Sequence, residues 1–72
     1  MHTAKELVRI FSEKFPNIVI EKWLPGGRKI QGNKREPGAI RIVATNGKWY
    51  MFAYRSENDW TFSSHGYGPI KE

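Results

Sequence analysis

Ser63, Ser64 and His65 stand side by side and are the nearest approach to nucleophilic machinery in this 72-residue chain. A serine is activated by a histidine that converges on it in space and has an acid behind it, and adjacency in sequence supplies neither. His2 and His65 are the only histidines and cysteine is absent, so the three or four donors of a usual metal site are not in view. Glu57 and Asp59 read as turn residues rather than an acid–base pair. Pro25-Gly26-Gly27-Arg28-Lys29 has the glycines of a phosphate-binding turn but no following helix whose N-terminus could receive an anion. The expectation is therefore a protein that binds, with no catalytic residue, cofactor or metal.

Charge indicates what it binds. Lys22, Arg28, Lys29, Lys34, Arg35 and Arg41 face only Glu36 within residues 22–41, while acids and bases balance elsewhere. The whole +5 excess thus lies in one segment, and a patch of that sign attracts polyanions. The absence of cysteine fits a reducing compartment. No apolar run approaches the roughly 20 residues of a membrane span. A soluble, cytoplasmic protein with no membrane partner is expected.

The elements that position these groups follow from periodicity and punctuation. Thr3 and Glu6 have capping-box spacing. Ala4, Leu7, Val8, Phe11 and Phe15 then recur at helical spacing, with Ile10 at the margin of the stripe. Pro16 ends the run, because its ring disfavours helical geometry at Phe15. A helix over 3–15 is predicted.

Strands are predicted over about 17–24, 39–45, 48–55 and 60–64. A further short strand over 28–31 would be folded back by Pro25-Gly26-Gly27 and ended by Gly32-Asn33. Gly66-Tyr67-Gly68-Pro69 lacks periodicity and reads as a surface tail. The class is α+β: a single domain with an N-terminal helix on one face of a small antiparallel meander of three to five strands.

Asn46-Gly47 is a strong hairpin signal, since both residues tolerate positive φ. A two-residue turn there pairs Ala44 with Trp49, Val43 with Tyr50, Ile42 with Met51, Arg41 with Phe52 and Ile40 with Ala53. A second turn at Glu57-Asn58 pairs Arg55 with Trp60 and Ala53 with Phe62. Ile40, Ile42, Ala44, Trp49, Met51, Ala53, Trp60 and Phe62 would then form the core face. Arg41, Val43, Thr45, Lys48, Tyr50, Phe52, Tyr54, Thr61 and Ser63 would lie opposite.

A bare row of Tyr50, Phe52 and Tyr54 bordered by Arg41 and Lys48 would suit base stacking, with the basic segment on phosphates. The expected function is nucleic-acid binding, DNA or RNA undetermined, through Lys22, Arg28, Lys29, Lys34, Arg35, Arg41, Lys48, Tyr50, Phe52 and Tyr54. The alternative is a small protein-interaction module, an inhibitor or adaptor of a larger enzyme or complex, whose basic segment meets an acidic surface. Aromatic anchors beside arginine also compose interface hot spots. The protein would be a monomer, or a homodimer with two aromatic faces packed about a two-fold axis.

Overall fold

A computed structural model describes residues 2–67 of the chain. Helix α1 spans Ala4–Lys14, and both bonds of its capping box form. The Glu6 backbone N–H donates to Thr3 Oγ1 at 3.2 Å, and the Thr3 backbone N–H donates to Glu6 Oε1 at 3.3 Å. Leu7 and Phe11 are buried, with Ala4, Val8, Ile10 and Phe15 packed around them. The helix is the one the sequence predicts, one residue shorter at each end.

Six strands follow: β1 (Ile20–Pro25), β2 (Lys29–Gln31), β3 (Lys34–Arg35), β4 (Ala39–Ala44), β5 (Lys48–Ser56) and β6 (Asp59–Tyr67). Four of them form an antiparallel sheet in the order β1-β4-β5-β6, and β2 and β3 make a separate two-stranded ribbon. The fold is α+β, a small domain with the helix on one face of the sheet.

The 28–31 strand is present in shortened form, but it does not fold back onto β1. Its partner is Lys34-Arg35, across the turn at Gly32-Asn33. Pro25-Gly26-Gly27 instead carries the chain from the sheet into this ribbon. The final strand runs through Gly66 to Tyr67, beyond the expected end at 64. Gly68 and Pro69 of the expected tail lie outside the described residues.

The main correction concerns register. β4 and β5 pair Ile40 with Phe52, Arg41 with Met51, Ile42 with Tyr50 and Val43 with Trp49, one residue away from the expected pairing. The loop is Thr45-Asn46-Gly47, three residues rather than two. The Gly47 N–H donates to the Ala44 carbonyl, the Lys48 N–H to Asn46 Oδ1, and only Gly47 (φ 88°) takes the left-handed conformation. This is the three-residue hairpin with glycine at its final position.

Because side chains alternate with period two, a one-residue slip exchanges the faces. Tyr50, Phe52 and Tyr54 point into the core, at 7%, 0% and 8% exposure. Trp49, Met51 and Ala53, expected in the core, lie on the outer face.

The β5–β6 turn does fall at Glu57-Asn58, with Ser56 opposite Asp59. Arg55 is then bulged out, and the ladder resumes with Tyr54 opposite Trp60 and Phe52 opposite Phe62, not with the expected Arg55–Trp60 and Ala53–Phe62 pairs. A bulge of this kind shifts one strand by a residue against its neighbour. It keeps Trp60 and Phe62 on the helix side, where the sequence places them, although their partners differ.

Burial explains the choice of register. The observed face pools three β5 rings where the alternative pools one ring with Met51 and Ala53, so it sets more aromatic surface against Phe11, Phe15 and Phe62. The rings interlock: Phe11 meets Phe52 edge-on at 5.5 Å, Phe15 stacks on Phe62 at 4.4 Å, and Tyr50 stacks on Phe62 at 5.3 Å. Each buried tyrosine takes its hydroxyl to a turn. Tyr54 donates to Glu57 Oε1 at 3.1 Å, and Asn46 Nδ2 donates to the Tyr50 hydroxyl at 3.4 Å.

Candidate nucleic-acid interface

The sheet face away from α1 is where the expected site residues must be judged. Lys22, Arg28, Lys29 and Lys34 are exposed, whereas Arg35 and Lys48 are half-buried. Arg35 is turned inward, with Nη1 donating to the Gly27 carbonyl at 3.1 Å. Arg41 is buried at 5% exposure. Its Nε donates to the Gly26 carbonyl at 3.2 Å and its Nη2 to the Pro25 carbonyl at 2.8 Å. It is the clamp beneath the turn from β1 to the ribbon, not a contact for phosphate.

Tyr50, Phe52 and Tyr54 are core residues, so no base can stack on them. The expected dimer through two bare aromatic faces fails for the same reason, because the helix and its side chains cover those rings. The basic segment is therefore divided. Lys22 stays on the edge strand, and Arg28, Lys29 and Lys34 project from the ribbon.

The base of the ribbon is closed and tied to the start of β4 by backbone hydrogen bonds. The Gly26 N–H donates to the Ala39 carbonyl, the Gly27 N–H to the Glu36 carbonyl and the Glu36 N–H to the Arg28 carbonyl. Gly27 is fully enclosed. A Cβ there would lie 2.9 Å from the Ala39 Cβ and 2.8 Å from Glu36 Oε1, so no side chain fits without movement.

Where the chain enters and leaves the ribbon, a cleft of about 520 Å³ opens on the outer face. Arg28 and Glu36 line it on the ribbon side, and Thr61, Ser63 and His65 on the β6 side. Ala39, Met51, Phe52 and Ala53 complete its lining from β4 and β5. A cleft of this size falls in the range that accepts a small organic ligand.

At the β6 side, His65 stacks on Trp49 with ring centroids 4.5 Å apart and planes 19° from parallel. The His65 Nε2 is hydrogen-bonded to Ser63 Oγ at 2.7 Å. Among the described residues no carboxylate is hydrogen-bonded to the other nitrogen of His65, so the acid of a catalytic triad is not in place. Nor does any group of three or more His, Cys, Asp or Glu residues among them form a metal cluster. No helix among the described residues is long and apolar enough to cross a membrane.

Sequence reasoning found Thr61 and Ser63 for this face but missed Trp49, Met51, Ala53 and His65. One signal was available. Only the observed register brings the β5 rings to the side of Ile40, Ile42, Trp60 and Phe62. Comparing the apolar area pooled by each register would have selected it.

No protein family, curated protein or solved structure matches the chain.

Proposed function

We propose that this protein is a nucleic-acid-binding module that holds an unpaired strand across the outer face of its sheet. The observation that carries the reading is the outer-face cleft, bordered by a cationic ribbon on one side and by the Trp49–His65 stack on the other. Single strands are bound by a basic track for the backbone and ring platforms for the bases. Here Arg28, Lys29 and Lys34 supply the track. Trp49 and His65 take the part that the sequence suggests for Tyr50, Phe52 and Tyr54. Thr61 and Ser63 offer hydroxyls that donate to or accept from a base edge. The small residue at Ala53 lets a planar ring approach the sheet closely.

Direct titration with single-stranded DNA, single-stranded RNA and duplex DNA tests the proposal. Single strands should bind in preference to duplex, and Trp49→Ala should weaken that binding. Loss of one stacking platform, at about 1–3 kcal/mol, corresponds to roughly 5- to 150-fold in affinity. Phe52 does not touch the bound strand, and a core variant at that position is read only for stability. Absence of binding at low salt, or unchanged affinity in Trp49→Ala, sinks the reading. An acidic protein surface engaged by the same cations would then be the remaining account of the ribbon.

A further inference from the structure

The two edges of the main sheet are built differently. β1 carries the exposed charges Glu21 and Lys22, has a register shift between Ile20 and Lys22 and ends on Pro25. Charge, irregularity and proline are the devices that keep an edge strand from pairing with another chain. β6 has none of them from Trp60 to Ser64, where the residues are Trp, Thr, Phe, Ser and Ser, and its own register shift comes only beyond Ser64, where Gly66 takes φ 82°. This strand of nine residues pairs with β5 on one side, and among the described residues no strand pairs with its other side.

Rings on the helix side are also partly open at this edge. Trp60 is 37% exposed and Phe62 half-buried, both on the helix side. We infer that β6 is a self-association edge, at which two copies of this chain pair antiparallel about a two-fold axis normal to the sheet and make one continuous eight-stranded sheet.

Register and charge both favour a second copy as the occupant. With Thr61 on the axis, Trp60 of one copy stands opposite the partner subunit's Phe62, and the reciprocal pair forms by symmetry. Two aromatic cross-strand pairs then close the exposed end of each core, and aromatic pairs are among the more stabilising in a sheet. Like charges do not meet, because no Lys, Arg, Asp or Glu lies between Trp60 and Gly66. A two-fold axis normal to the sheet also leaves both outer-face clefts on the same side. The inference does not depend on what those clefts bind.

Sedimentation equilibrium of the full chain, without any nucleic acid, provides the test. The apparent mass should rise from 8.4 kDa to twice that value between micromolar and millimolar protein. Thr61 is exposed, so Thr61→Lys leaves the core intact while placing two ammonium groups opposite each other on the axis. That variant should retain the wild-type circular dichroism and remain at the monomer mass. Amide exchange in the unaltered protein gives a second readout: protection within Asp59–Ser63 should increase with concentration. A wild-type chain that stays at monomer mass, a folded Thr61→Lys chain that still dimerises, or exchange in β6 that ignores concentration would each overturn the inference.

Discussion

Glu57 joins three parts of the molecule. Its Oε2 accepts from Lys14 Nζ at 2.8 Å, its Oε1 accepts from the Tyr54 hydroxyl, and Lys14 in turn lies 4.8 Å over the ring of Trp60. The hydrogen bond from Lys14 and then that from Tyr54 hold the Glu57 carboxyl below its ordinary value of 4.5. A lowered carboxylate contributes stability that is complete above its unfolded pKa and is lost as pH falls through the folded one. Acid should therefore loosen this corner from about pH 4.5 downward. In Glu57→Gln the difference in urea midpoint between pH 7 and pH 3 should shrink. It should not vanish, because Glu6 is lowered in the same direction by its hydrogen bond from the Thr3 backbone. Tyr54 behaves oppositely. Burial first, and Glu57 second, raise its phenol above 10.0, so its contribution is intact below that pH and lost in stronger alkali.

At the scale of elements, the β4–β5 hairpin sets which half of β5 is structural. Phe52 is fully buried while Met51, its neighbour, is half-buried on the outer face. Phe52→Ala should cost about 3–5 kcal/mol, the usual loss for a deleted core ring, enough to unfold much of so small a domain. Met51→Ala should cost far less. Denaturant titration of the two variants reads the register directly, because the two-residue turn reverses the order. The helix was fully legible because its signals are local: Thr3, Glu6, the apolar stripe and Pro16 act within a few residues of one another. The hairpin was legible as an element but not as a register. Asn46-Gly47 serves a two-residue and a three-residue loop alike, and only the helix packed on one face separates them. Arg55 adds a second slip that no turn residue announces. The ribbon was half-seen because its strands are two or three polar residues long, without an alternation to read.

Considered as a whole, the molecule keeps most of its exposed excess charge on the ribbon and the Trp49–His65 stack on the far side of the sheet, with the cleft between. Neutralising Arg28, Lys29 and Lys34 together to alanine should weaken binding to a single strand. It should also make the plot of log affinity against log salt shallower by about 2, at roughly 0.7 for each phosphate left without its cation. Arg41→Met should instead act on stability, since Arg41 is spent on the carbonyls of Pro25 and Gly26. That division was invisible in the sequence, where Arg28 and Arg41 belong to one basic run. Only the path of the chain between them shows that one is a surface cation and the other a structural clamp.

The enclosed Gly27 has a consequence for substitution. Surface cations can be exchanged, moved or removed while a function persists, and platform rings can be replaced by other rings. The seat of the ribbon has no such freedom: a glycine must pass between Glu36 and Ala39, and a long donor from β4 must reach the carbonyls before it. Gly26-Gly27, Glu36, Ala39 and Arg41 are thus positions where packing in this chain, rather than surface chemistry, restricts which residue can stand.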